Sequence, residues 1–118
     1  MRIELILEQA LPAIRGMIEI FVDDELVYTG SAGPITRDVE INDDVIGPHK
    51  IHIINHYGGF KVKQFSINDV NMEFYHYEAT IHNGDDIQIG KRADYVNTNG
   101  GYWEFSFTTP FWEFLLDK

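Results

Sequence analysis

The sequence predicts an all-β protein, an antiparallel, jelly-roll-like β-sandwich of about eight strands with a short C-terminal helical turn. Three observations indicate this fold class. Apolar and polar residues alternate over many short segments, and clusters of Gly, Asn and Asp separate these segments. No convincing amphipathic helix interrupts the pattern before the last residues of the chain.

Strands of the N-terminal half follow directly from this alternation. They are predicted at residues 2–8, 17–22, 26–28 and 35–41. In the first of them Ile3, Leu5 and Leu7 share one face, because successive side chains of a strand point to opposite sides. Residues 23–25 are Asp-Asp-Glu, which favours a tight turn, so residues 17–28 are predicted to form a β-hairpin.

Strands of the C-terminal half lie between stronger turn signals. They are predicted at residues 49–55, 60–63, 65–82 and 101–108, the third as one long or two short strands. Turns are expected at residues 57–59 (Tyr-Gly-Gly) and 83–86 (Asn-Gly-Asp-Asp). Residues 91–100 form the longest polar loop, and a loop of that length usually has a function.

The aromatic C-terminal stretch divides at a proline. The rings before it that share the strand face expected in the core are Trp103, Phe105 and Phe107. Thr109 and Pro110 then predict the start of a short helix, as its cap and its first residue. The side chains that follow at helical spacing, and are expected to cover one end of the sandwich, are Phe111, Phe114 and Leu115. Trp112 lies off this stripe, so we expect it to be the most exposed ring.

Composition and charge restrict the possible functions. The chain of 118 residues has the size of one domain, predicted to span residues 1–118, and it contains no cysteine for a disulfide, a thiolate zinc site or a nucleophile. Nineteen acidic residues against nine basic ones give a net charge of −10, which repels phosphate backbones and acidic membranes. We therefore expect neither nucleic-acid binding nor membrane binding.

Four segments carry a resemblance to a known protein type. They are IEIFVDDELVYTG (18–30), VEINDDVIGPHKIHIIN (39–55), FSINDVNMEF (65–74) and GGYWEFSFTTPFWEFLL (100–116). Their order resembles the sandwich of noncatalytic carbohydrate-binding modules, and GPHKIHI resembles the strand entry G-x-H-x-I-x-I of such jelly rolls. The ending FTTPFWEFLL is similar to the C-terminus of short, uncharacterised proteins of marine tailed phages. The resemblance implies this fold and a setting in a virion or the host cytoplasm. No residues of this sequence match the calcium ligands or the aromatic triplet of such modules, so the resemblance does not identify a glycan.

Motifs for catalysis are missing. The three serines, Ser31, Ser66 and Ser106, form no G-x-S-x-G elbow, and no Gly-rich turn is followed by the Lys-Ser/Thr of a phosphate loop. Glu73 and Glu78 could be nominated as glycosidase carboxylates, but a domain this small rarely encloses the cleft that such a pair needs. We expect a protein that is not an enzyme and that needs no cofactor.

A metal site is a weaker alternative. His76, Glu78 and His82 could hold zinc in a small metal-dependent hydrolase, but nothing supplies a clear third ligand, and solvent-facing polar positions explain them better. The aspartate pairs at 23–24, 43–44 and 85–86 could bind calcium, but turn geometry alone also favours aspartate there. We predict no metal site.

The predicted ligand site lies in the loops at the ends of the sandwich. Tyr57, Tyr95 and Trp112 would stack on a sugar ring, and the groups that would bond its hydroxyls are Asp94, Asn97 and Asn99. The competing interpretation is that the two tyrosines cover loop backbone and Trp112 packs at an edge. The sequence thus predicts a noncatalytic, glycan-binding accessory module. The alternative is a structural virion protein that self-associates, or binds other virion proteins, through its C-terminal aromatic residues.

Overall fold

The computed structural model describes residues 1–10, 15–75, 77–84, 86–90 and 95–116. These residues form two antiparallel β-sheets around an apolar core, with one short helix near the C-terminal end. The predicted fold class, an all-β antiparallel sandwich, is confirmed.

The two sheets share the strands unequally. Numbered in chain order, the strands are β1 (Arg2–Gln9), β2 (Met17–Val22), β3 (Glu25–Gly30), β4 (Pro34–Asp38), β5 (Gly47–Tyr57), β6 (Phe60–Ile67), β7 (Val70–Asn71), β8 (Ala79–Asn83), β9 (Asp86–Gly90), β10 (Tyr95–Val96) and β11 (Tyr102–Thr109). The smaller sheet has the order β10-β6-β1-β4, with β7 paired to β6, and the larger sheet has the order β3-β2-β5-β11-β8-β9. The chain crosses repeatedly between the two sheets.

The core forms from the inward faces of both sheets, in the alternation that the sequence predicts. From the smaller sheet come Ile3, Leu5, Leu7, Ile35, Phe60, Val62, Phe65, Ile67 and Val96. From the larger sheet come Ile18, Ile20, Val22, Ile51, Ile53, Ala79, Ile81, Trp103, Phe105 and Phe107. Each large side chain of this kind stabilises the fold by about 1.5–3 kcal/mol when it is fully buried.

The strand boundaries differ from the prediction in three places. β4 ends at Asp38, so Val39 and Ile41 reach the core from a loop. The segment predicted at 65–82 is divided by a turn and by a 3-10 helix at Met72–Tyr75. The polar loop at 91–100 contains β10. The described residues hold eleven strands and not about eight. The two-residue strands β7 and β10 are too short to produce alternation in the sequence, and β9 lies after the turn at 83–86, where no strand was predicted.

The predicted C-terminal helix is present as α1 (Phe111–Leu116), but its cap is not the predicted one. The buried Thr109 hydroxyl donates to the Val45 carbonyl and does not cap the helix. The Phe111 amide donates instead to Asp43 Oδ1 at 2.7 Å. Thr109 fails as a cap because it is the last residue of β11, where its side chain points into the sandwich.

Strand register defines two ends of the molecule. Thr109 pairs with Gly47 beside α1, and we call this the helix end, which comprises residues 23–25, 38–47 and 109–116. Tyr102 pairs with Ile54 toward the opposite end, where β5 turns into β6. We call that end the loop end, which comprises residues 57–60 and 95–101.

Candidate ligand-binding groove

The β2–β3 turn forms one wall of the candidate site. Asp23 and Asp24 adopt positive φ angles of 51° and 67°, as the tight turn of a hairpin requires. This confirms the predicted turn. Because β5 extends beyond its pairing of Val22 with Ile51, the turn lies against Lys50. The Lys50 amide donates to Asp23 Oδ1 at 2.9 Å, and the Asp23 amide donates to the Lys50 carbonyl at 3.0 Å.

His49 connects this turn to the end of β11. Its Nδ1 lies 2.6 Å from Asp23 Oδ2, and its Nε2 lies 3.1 Å from Thr109 Oγ1. The order carboxylate, imidazole, hydroxyl is that of a nucleophilic hydrolase. Thr109, however, is only 2% exposed and its hydroxyl bonds to the Val45 carbonyl, so no substrate carbonyl can reach the oxygen. The chain of contacts instead fixes the turn, β5 and β11 relative to one another.

Beside this framework lies an open groove of about 470 Å³. Asp24 and Lys50 contribute its charges and form an ion pair at 3.4 Å, with the Asp24 side chain 85% exposed. Ser106 and Thr108 contribute hydroxyls from the outward face of β11. Of the apolar lining residues, Pro48 is exposed and Phe114 is half-buried, whereas Phe107 belongs to the core. The groove therefore combines charged groups and hydroxyls with the partly exposed ring of Phe114.

The groove borders a second depression on the outer face of the larger sheet. This depression measures about 250 Å³ and shares Asp24 and Lys50 with the groove. Next to it the rings of His52, Tyr102 and His82 stack across three neighbouring strands, with centroid separations of 4.4 and 4.2 Å. His52 Nδ1 lies 2.8 Å from Glu104 Oε2, so polar groups continue along this face.

Two of the predicted ligand residues, Tyr57 and Tyr95, lie at the loop end. Both rings are about half exposed, and Asn97 and Asn99 are exposed in the same region. Asp94 lies outside the described residues. The geometry therefore brings four of the six predicted residues to one end of the sandwich, and their role in ligand binding stays a prediction.

Trp112 lies at the opposite end. Among the described rings it is the most exposed, as predicted. It follows Thr109, which pairs with Gly47, whereas Tyr57 lies at the far end of the same strand β5. A strand of this length spans about 30 Å. One sugar ring therefore cannot contact Trp112 and the two tyrosines together.

Asn55 is a structural residue of the loop end and not a ligand group exposed to solvent. It is fully buried, its amide nitrogen donates to the Thr98 carbonyl at 2.8 Å, and its amide oxygen accepts from the Gly59 amide at 3.0 Å. Gly59 has a φ of 77°, and a Cβ there would lie 2.8 Å from Ala10 Cβ, so the turn requires glycine.

Asn83 fixes the neighbouring residues in the same manner. It donates to the Tyr95 carbonyl at 3.0 Å and accepts from the Asn97 amide at 2.9 Å. The described part of the long polar loop is thus held in place by two side-chain amides. These hydrogen bonds are a structural reason for the polar composition of the loop, whether or not it binds a ligand.

The described residues give no support to the alternative of a metal site. Within the described residues, no three His, Asp or Glu side chains lie close enough to share an ion. His76 lies outside those residues, Glu78 is exposed just before β8, and His82 stacks on Tyr102.

Among the described residues, no helix is long and apolar enough to span a membrane.

Sequence reasoning missed most of the groove. The sequence marks Asp24 as a turn residue that could also bind calcium, and it does not connect this residue with Lys50, Ser106 and Thr108. The available signal was that Lys50, Ser106 and Thr108 occupy outward-facing positions on two neighbouring strands. Their proximity depends on the register of Ser106 with Lys50 and Thr108 with Pro48, which the sequence alone does not specify.

Comparison with protein-family models, with curated proteins and with solved structures gave no match. The resemblances to carbohydrate-binding modules and to proteins of tailed phages therefore stay predictions.

Proposed function

We propose that this chain is a noncatalytic binding module that holds a carbohydrate in the groove at the helix end. The observation that carries the proposal is the groove, where Asp24, Lys50, Ser106 and Thr108 lie beside the half-buried ring of Phe114. Four hydrogen-bonding side chains and an aromatic ring thus border one open volume.

Carbohydrate matches this combination better than an apolar or a purely ionic ligand. A pyranose has an apolar C–H face that packs on rings, and hydroxyls around its edge that both donate and accept hydrogen bonds. Asp24 accepts, Lys50 donates, and the two hydroxyls do either. Hydrogen bonds to the charged pair would be the stronger ones.

The positions of the carboxylates favour binding without hydrolysis. Hydrolysis of a glycosidic bond needs two carboxyl groups on opposite sides of it. Asp23 and Asp24, the two carboxylates that line the groove among the described residues, are adjacent on one turn. Both Asp23 oxygens are already engaged, by the Lys50 amide and by His49.

Screening against immobilised plant, microbial and animal oligosaccharides tests the proposal, with calorimetry on any oligosaccharide that binds. We expect Asp24→Asn and Thr108→Ala to weaken binding by about tenfold or more each, because each removes a direct bond to the ligand. Asp44→Asn is the matched control, since it makes the same change of charge at an exposed aspartate outside the groove.

Two results would overturn this proposal. One is that no oligosaccharide of the panel binds. The other is that Tyr95→Ala abolishes binding while Asp24→Asn leaves it unchanged. That outcome would place the sugar at the loop end, on Tyr57, Tyr95, Asn97 and Asn99.

A further inference from the structure

The helix end also carries an unusual concentration of exposed apolar side chains. The four most exposed large apolar residues of the described chain are Ile46 (85%), Leu116 (73%), Trp112 (59%) and Val45 (57%). All four lie at the helix end, and we call them the apolar end patch. Large exposed apolar patches on soluble proteins mark interaction sites.

Specific contacts hold the two parts of the patch side by side. The Val45 carbonyl accepts from the Thr109 hydroxyl, and Asp43 caps α1 through the Phe111 amide. Trp112 and Leu116 are four residues apart on α1, so they lie on the same helix face. The loop and the helix thus present their apolar side chains from a fixed framework.

Acidic residues lie at the same end of the molecule as the patch. Asp44 and Glu113 are exposed next to its members in the chain. A neighbouring cavity of about 320 Å³ is lined by four carboxylates, from Asp23, Glu25, Asp38 and Glu40, and by no basic side chain of the described chain. The apolar part of its lining comes from Val22, Val27, Val39 and Ile41. Three cationic groups lie nearby: Lys50 is paired with Asp24, the Arg37 guanidinium donates to the Val27 carbonyl, and the N-terminal ammonium donates to the Val39 carbonyl. The four carboxylates still outnumber them at the cavity.

Charge decides between the possible occupants of the patch. A symmetric dimer formed through this patch would bring the acidic residues at the helix end of one copy toward those of the other, on chains of net charge −10 each. Like charges in contact cost free energy, whereas opposite charges around an apolar centre favour association. A partner with basic residues around an apolar surface therefore fits better than a second copy.

We propose that the apolar end patch docks a protein segment whose apolar face is flanked by Lys or Arg. The apolar face covers the four patch residues. One basic side chain enters the acidic cavity, where its aliphatic stem contacts the valines and its charge lies among the carboxylates. This docking does not depend on carbohydrate binding in the groove.

Calorimetry with two synthetic helical peptides tests the docking. One peptide carries leucines along one face with flanking lysines, and its matched partner carries glutamates in place of the lysines. We expect the lysine peptide to bind roughly tenfold or more tightly than the glutamate peptide, and to weaken as salt is added. We expect the double variant Ile46→Ser, Leu116→Ser to lose that binding without a change in charge.

Two further variants separate the apolar and electrostatic contributions. Reversing the charges next to the patch with Asp44→Lys and Glu113→Lys is expected to weaken the lysine peptide and favour the glutamate peptide. Ile6→Ser, which removes an exposed apolar side chain from β1, is the control that leaves binding unchanged.

Equal affinity for both peptides, or equal binding by the patch variant and the wild type, would overturn the proposal. So would a dimer in sedimentation that Ile46→Ser, Leu116→Ser dissociates, because the occupant would then be a second copy.

Discussion

The two ends of this sandwich are stabilised by different interactions. At the helix end, the rings of Phe107, Phe111 and Phe114 pack on one another with centroid separations of 6.0 to 6.4 Å. At the loop end, the buried Asn55 and the partly buried Asn83 connect the turn at Gly59 to residues 95–98 by hydrogen bonds. Packing of rings tolerates gradual adjustment, whereas a buried amide must find every partner. Conservative apolar substitutions should therefore be tolerated better in the ring packing of the helix end than substitutions of Asn55 and Asn83 at the loop end.

Removing a ring from the helix end should have the largest effect. Phe111 is 3% exposed, and Phe111→Ala is expected to lower the free energy of unfolding by about 3–5 kcal/mol, because it leaves a cavity between Phe107 and Phe114. Urea denaturation measures the change. Trp112→Ala is the matched control on the same helix, and a similar loss in both variants would show that α1 does not pack as described.

Removing the amide at the loop end should have the next largest effect. Asn55→Ala leaves the Thr98 carbonyl and the Gly59 amide without their partner in the interior, which we expect to cost about 2–3 kcal/mol of unfolding free energy. Asn97→Ala, at an exposed position, should cost less than about 0.5 kcal/mol. If Asn55→Ala were equally mild, the loop end would not depend on its amides.

A smaller effect is expected from the cap that joins the β4–β5 loop to α1. Asp43→Ala removes the acceptor of the Phe111 amide and should lower the free energy of unfolding by about 1 kcal/mol. Asp44→Ala, one residue along the same loop, should change it much less. Thermal unfolding of both variants side by side would contradict the capping role if their midpoints fell equally.

The smallest effect on stability is expected from the exposed tyrosine of β10. Tyr95→Ala should change the free energy of unfolding by less than about 0.5 kcal/mol, since its ring is about half exposed. The affinity of the Tyr95→Ala variant for any oligosaccharide that binds the groove should also match that of the wild type. A loss of affinity without a loss of stability would move the ligand to the loop end.

The sequence predicted the parts of this fold that follow from regular spacing within a single strand or helix. The alternation of Trp103, Phe105 and Phe107 identified a core face, and the spacing of Phe111, Phe114 and Leu115 identified α1. It did not predict Asp43 as the cap, because Asp43 lies 68 residues from Phe111 in the chain. The pairing of Lys50 with Ser106 across β5 and β11 is equally non-local. The candidate groove and the apolar end patch depend on such contacts, so neither could be derived from local patterns.

The unequal burial of the two tryptophans has a practical consequence for spectroscopy. Trp103 is fully buried among aromatic rings, whereas Trp112 is exposed on α1. We expect emission from Trp103 at shorter wavelength and emission from Trp112 at longer wavelength, with only the latter open to dissolved quenchers. Because Glu113 adjoins Trp112 in the chain and the net charge of the chain is −10, caesium should quench the fluorescence of Trp112 more efficiently than iodide. The protein thus carries one intrinsic fluorophore that reports on its interior and another that reports on the charge of its surface.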